Sequence, residues 1–205
     1  MIMRRAAIAM AIVALGGLHQ AQAQDRSPCI AARVAGDAAI QRGDTRQAVR
    51  PSMPLRQSDQ LITGAGGRVE VRCPDGSSLV VGERSTVRLS IFITDNRPHN
   101  AVVEVLEGIV RALLPTGHTW ERFDIVTKTA VASVRSTAWI VDVKPESTGV
   151  FVEDGHVLVS SRANQAQVYL AAGYGVDVGA QPAPLEIRAW GAARISDVQA
   201  RTRLP

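Results

Sequence analysis

Between Phe123 and Ser160 the chain reads FDIVTKTAVASVRSTAWIVDVKPESTGVFVEDGHVLVS, with apolar and β-branched residues interspersed with Thr and Ser. From Val150 to Ser160 they alternate around an Asp154-Gly155 pair. Successive side chains on a strand point to opposite faces, so this pattern predicts several short strands. Three stretches share one plan. Val69-x-Val71-x-Cys73 leads through Asp75-Gly76 to Leu79-Val80-Val81. Val103-x-Val105-Leu106 leads through Glu107-Gly108 to Ile109-Val110-Arg111-Ala112-Leu113. Val150-x-Val152 leads through Asp154-Gly155 to Val157-x-Val159. Each predicts a hairpin, because glycine is at home at positive φ and Asp tolerates the left-handed region. The uneven spacing points to stacked hairpins without a regular repeat.

The same pattern divides the rest of the chain. Cys29 to Ile40 is Ala-rich and alternates too weakly to assign, and Arg42 to Pro54 reads as a loop or irregular edge. Leu55 to Gly67 predicts a short strand that ends at a Gly-rich turn. Trp139, Val141 and Val143 form one apolar strand face, with Asp142 and Lys144 turned to water. Val168-Tyr169-Leu170 and Val176-Asp177-Val178 bracket a turn at Ala172-Gly173. After Pro182 and Pro184 the apolar residues Leu185, Ile187, Trp190, Ile195, Val198 and Leu204 are spaced loosely like one helix face, which Gly191 weakens. The predicted class is all-β, built of short antiparallel strands and hairpins in a sandwich or solenoid-like stack. Its divisions are a leader over 1–23, a β domain over 24–180 and a short, partly helical tail over 181–205.

Composition adds a compartment. Arg4-Arg5, the apolar run Ala6 to Leu18 and Ala21-Gln22-Ala23 have the order of a secretory signal peptide cleaved before Gln24. The run is shorter than the roughly 20 residues that span a bilayer, so the expectation is a periplasmic or secreted chain with no membrane anchor. Cys29 and Cys73 are the only cysteines, and in an oxidising space they are expected to pair. At 4% aromatic, the core must come from Val, Ile, Leu and Ala. The net charge of +4 falls to +2 once Arg4 and Arg5 are cleaved off. The remaining arginines are scattered among acids, without the basic run that nucleic-acid binding needs.

The order Val134-Arg135-Ser136-Thr137-Ala138-Trp139, then Val152-x-x-Gly155-x-Val157, resembles the FecR-type periplasmic domain. That family has Gly where Ser136 stands and Phe where Trp139 stands. The resemblance extends through Asp59-x-Leu61-x-Thr63-Gly64, Asp75-Gly76-Ser77-x-Leu79, Leu106-x-Gly108-x-Val110, Phe123-x-Ile125-x-Thr127 and Leu170-x-Ala172-Gly173. It implies an all-β periplasmic domain with structural motif residues Asp75, Gly76, Gly108, Arg135, Thr137, Gly155 and Gly173. In the iron-uptake regulators of the family, the domain follows a cytoplasmic anti-sigma segment and a membrane helix and helps pass a signal inward. The expectation here is the exported form without those segments.

Catalytic chemistry finds little support. Ser77 and Ser78 lack a nucleophile elbow, His99, His118 and His156 are scattered, and the Gly64–Gly67 run has no following Lys-Ser/Thr. No cofactor or metal is expected. Arg135 reads as a structural cation or as a recognition residue on an exposed face. Trp190 reads as an anchor onto the domain's own sheet edge or as part of a partner-binding segment. The expected function is a non-enzymatic envelope interaction or sensory-regulatory module with an unknown protein partner. The alternative is a secreted structural scaffold.

Overall fold

A computed structural model describes residues 29–92, 100–118 and 120–205, apart from the side chains at 91, 92, 135 and 136. The expected signal peptide, the polar stretch up to Pro28 and His99 lie outside the described residues. The elements are β1 (Ile30–Ala35), β2 (Ala38–Arg42), β3 (Thr45–Ala48), β4 (Met53–Pro54), β5 (Gln60–Thr63), β6 (Arg68–Arg72), β7 (Ser78–Val81) and β8 (Thr86–Phe92). They continue with β9 (Asn100–Leu114), β10 (Arg122–Val126), β11 (Ala130–Lys144), β12 (Ser147–Ser161), β13 (Gln167–Ala171), β14 (Tyr174–Gly179), β15 (Arg188–Ala189) and α1 (Ala192–Thr202). The class is all-β. All strands belong to one hydrogen-bonded sheet, antiparallel except where β10 runs parallel to the first part of β9.

Three strands of 15 residues organise this sheet, and each changes neighbours along its length. The first part of β9 pairs with β8 and β10, and the part after Gly108 pairs with β7 and β11. The first part of β12 lies against β14, and its second part lies against β13. Only the first of the three expected acid-Gly hairpins is a hairpin. At β6–β7 the Asp75 carboxylate accepts hydrogen bonds from the Ser77 amide and hydroxyl, both at 3.0 Å, and the turn is closed by Cys73 N to Ser77 O at 2.9 Å. Gly108 and Gly155 sit inside β9 and β12, with φ of 88° and 80°. An acid-Gly pair between apolar runs has the same local signature for a turn and for a bend inside a strand. Only the pairing partners tell them apart. The hairpin that does join β11 to β12 is the Pro145-Glu146 turn between Lys144 and Ser147.

The bend crosses three neighbouring strands at one level. In β11, Arg135 and Ser136 together oppose the single residue between Val157 and Gly155 of β12. Gly155 lies opposite Thr137, and Glu153 is an extra residue between the pairs Ala138–Asp154 and Trp139–Val152. Beside them the Gly173 amide donates to the Val152 carbonyl at 2.9 Å, so β13 and β14 follow β12 on either side of the bend. Bulges of this kind increase the local bend and twist of a strand. The two halves then fold over a common core that includes Val103, Val105, Val110, Trp139, Val150, Val152, Val157 and Val159.

At the far end the layers are clasped by a buried hydroxyl cluster. Thr148 Oγ1 is 2.8 Å from Thr127 Oγ1 and accepts from Thr129 Oγ1 at 2.7 Å. Inside, Trp120, Phe123 and Trp139 stack edge to face at 6.1 and 5.7 Å. The indole N–H of the fully buried Trp139 has no hydrogen-bond partner among the described residues.

The N-terminal segment is more ordered than its sequence pattern implied. The stretch Arg42 to Pro54 is not a loop. It completes a β2–β3 hairpin and adds β4 beside β1. Every residue of β3 is exposed, so its sequence TRQA carries no apolar alternation from which a strand could be read. β1 pairs with β6 in the register Ile30–Arg72, which brings Cys29 and Cys73 together in a disulfide that closes 44 residues. A loop of that length constrains the unfolded chain by about 4 kcal/mol in the chain-entropy model.

Gly108 allows a test of the separate bend of β9, which lies opposite Val143 at the other end of β11. A Cβ placed there would lie 2.2 Å from Ser85 Oγ and 2.5 Å from the Arg84 carbonyl oxygen, in addition to the cost of positive φ. Gly108→Ala should lose more than about 1–2 kcal/mol in thermal or urea melts. Glu107→Gln, which alters an exposed side chain held only by Thr86 Oγ1, should stay within about 0.5 kcal/mol of wild type.

Candidate functional site: the outer faces of the bent sheet

Each half of the sheet has an outer face, and the two differ in what covers them. On the half made of β9 from Gly108, β11 after its bulge and β12 before Gly155, Ile109, Ile140 and Phe151 point outward and are buried by the C-terminal tail. Trp190 stacks on Phe151 with centroids 5.1 Å apart, and the Arg194 guanidinium lies 3.3 Å from the Trp190 ring centroid. Val198 and Ile195 complete this second core. Trp190 is thus buried on its own sheet, and β15 beside it pairs with β14, so the tail covers both an edge and a face. Of the helix expected in the tail, only residues 192–202 are helical, with Gly191 at the N-cap.

Polar contacts fix the helix in place. Arg194 donates to Asp177 at 2.8 Å, Gln199 donates to the bulged Glu153 at 2.8 Å, and Arg68 caps the Ala200 and Arg201 carbonyls. Arg201 pairs with Asp142 at 3.0 Å. Asp142 was expected to face water. It does point away from the main core, but α1 covers that face and leaves it 4% exposed. Hydrogen bonds from Arg194, set against a smaller upward push from burial, hold the Asp177 carboxyl below its ordinary value. At the N-terminal side, burial pushes the Glu70 carboxyl up, but the hydrogen bonds and charges of Arg33 and Arg72 outweigh it and leave it below the usual range.

The other half, which ends at β13, is covered by no helix among the described residues. A row of outward positions crosses four strands, from Asp124 of β10 to Ser133, Leu158 and Tyr169. Asp124 is buried, accepts from Ser133 Oγ at 2.7 Å and pairs with Arg122 at 2.7 Å. Tyr169 is 66% exposed, and one face of its ring stacks on His156 at 5.4 Å. Arg122, Ser133, His156, Leu158 and Tyr169, with Glu121 and Val134, line an open groove of about 480 Å³, which the buried Asp124 supports through Arg122 and Ser133. The arrangement offers an aromatic platform, an apolar floor and a held ion pair, a combination suited to binding. Tyr169 was read from the sequence only as part of a strand. An aromatic residue at an outward position of an uncharged strand was the available signal.

Of the motif residues, Thr137, Arg135, Gly155 and Gly173 lie near this face, whereas Asp75 and Gly76 are in the β6–β7 turn and Gly108 is in β9 opposite Val143. Thr137 is buried, and its hydroxyl donates to the His156 carbonyl at 2.8 Å across the bend. Arg135 and Ser136 lie in the β11 bulge beside the groove, and their side chains are outside the described residues. The histidines are not brought together. His156 stacks on Tyr169, whereas His118 accepts from the Trp120 amide in a turn.

Residues 59–158 match the family described as FecR protein. They form a FecR domain. No curated protein matches the chain. Two crystal structures of a "putative anti-sigma factor" from Parabacteroides distasonis ATCC 8503, at 1.65 and 2.50 Å resolution, are similar in fold. Each has a TM-score of 0.55 and 18% identity over 67% of this chain and 62% of that one. The chain therefore spans about three fifths of the length of the structures it matches, and the likeness is one of fold. The FecR domain opens at Asp59, a buried carboxylate held by the Arg42 guanidinium at 2.6 and 2.9 Å. It ends at Leu158, the floor of the groove. The strands before it and the tail after it are bound into the same sheet.

Two predictions test the contacts on either side of the bend. Thr148→Val leaves the Thr127 and Thr129 hydroxyls without their shared partner and should cost about 1–3 kcal/mol, while Thr148→Ser should recover most of it in thermal melts. The depressed Asp177 titration means that its ion pair contributes stability above the ordinary Asp value of about 3.9 and loses it as pH falls through the folded value. Asp177→Asn should melt below wild type at neutral pH, with the gap closing in acid; a gap independent of pH would show that the charge is not what holds the tail.

Proposed function

We propose that this protein is an exported, non-enzymatic interaction module of the sensory-regulatory kind, which presents the groove of β10 to β13 to a protein partner in the cell envelope. The observation that carries the reading is a FecR domain closed by the Cys29–Cys73 disulfide. Cystines persist in oxidising compartments, which favours an extracytoplasmic location. No helix among the described residues is long and apolar enough to cross a membrane. The named fold neighbour, described as a candidate anti-sigma factor, supports a regulatory role. The groove supports recognition: its Arg122–Asp124–Ser133 network is held in place, and its exposed ring is braced by His156.

The test combines compartment with binding. Free-thiol labelling of the denatured, unreduced protein from a periplasmic fraction should find no reactive cysteine. The disulfide-bonded protein, used as bait in envelope extract, should retain one other protein at near-equal amounts and lose it on Arg122→Glu. Free thiols in freshly exported material, or capture that is indifferent to Arg122→Glu, would overturn the reading.

A further inference from the structure

The groove stops at a sheet edge. β13 pairs with β12 over five residue pairs without a register shift and has no strand on its other side among the described residues. Apart from that ladder, no backbone hydrogen bond reaches 167–171 among the described residues. Nearby, Asn164 Nδ2 of the preceding turn donates to the Ala183 carbonyl of the tail at 3.1 Å, and Leu185 of the tail packs against the same core as Val168.

Sheet edges are ordinarily protected by charge, proline, bulges or a covering segment. The neighbouring edges follow that rule, since β3 carries Arg46 and the β14 edge is covered by β15 with its Arg188. β13 carries no charge, proline or bulge, and no strand among the described residues pairs with its outer side. From Ala163 to Val176 the chain contains no charged residue and no proline.

We propose that β13 is a self-association edge, and that two copies of the chain pair antiparallel through Gln167–Ala171 about a two-fold axis at Tyr169. In a two-fold pair position 169 faces its own copy, so a charge there would meet its like, and an uncharged strand meets no such repulsion. The axis sets Tyr169 against the second copy's Tyr169 and Gln167 against the second copy's Ala171. Among the described residues Tyr169 is the most exposed large hydrophobic, at 66%. Burying the two rings against each other removes from water the apolar surface that the monomer leaves exposed.

Sedimentation and light scattering of the full, disulfide-bonded chain, from micromolar to millimolar concentration, test this directly. The wild type should double its mass. Tyr169→Lys and Tyr169→Asp should each weaken the dimer about tenfold or more, and an equimolar mixture of the two should restore it. A second pair of variants keeps Tyr169. Gln167→Lys with Ala171→Lys should stay monomeric, whereas Gln167→Lys with Ala171→Asp should dimerise, because the axis then faces Lys with Asp. Unchanged thermal melts of the variants exclude unfolding as the cause. A wild type that remains monomeric throughout, or a dimer indifferent to both charge patterns, would overturn the proposal.

Discussion

A straight strand of 15 residues rises about 50 Å, more than the diameter of a domain of this size. β9, β11 and β12 are each that long, so a shared core requires that they bend while keeping their ladders. Gly155 at positive φ and the Arg135-Ser136 bulge bend β12 and β11, while β9 bends at Gly108, level with Val143 and Thr148 at the opposite end. Thr127, Thr129 and Thr148 close the opposite end, where the two layers meet. A backbone feature at one end and a hydroxyl cluster at the other thereby convert one sheet into two layers around a Val-rich interior.

The bend also decides what the surface can do. Before it, strands apolar on both faces demand a cover, and the tail provides one. Ile140 and Phe151 on the outer side are as buried as Trp139 and Val152 on the inner side. The extra residue Glu153, pushed out by the β12 bulge, meets Gln199 of the tail and Arg111 of β9. On the β13 side the outward row is polar and aromatic, no helix among the described residues covers it, and it carries the groove. One structural device thus separates a surface spent on stability from a surface left for recognition.

The family match and the sheet do not share boundaries. Residues 59–158 form the FecR domain, yet β1 pairs with β6, β2 pairs with β5, and the disulfide joins the two regions. On the other side β13 and β14 continue the pairing of β12. The segments outside the matched stretch therefore supply an edge, a cover and a covalent clasp, and differences between this chain and its fold neighbours in those segments would act on stability and on the exposed face together.

Periodicity by itself determined the class. Alternation of Val and Ile with polar residues specifies strands because side chains on a strand face opposite sides in turn, and the motif order identified the FecR family. The two cysteines specified a disulfide because only one pairing exists. What the chain could not state alone was which acid-Gly pair turns a corner and which bends a strand, since both need the same backbone conformation and differ only in partners far away in sequence. For the same reason Asp142 could be placed on the outer face but not under a helix 60 residues later, and β3, exposed throughout, left no apolar trace. The groove was decided last, when the fold brought Asp124, Ser133, Leu158 and Tyr169 into one row across four strands.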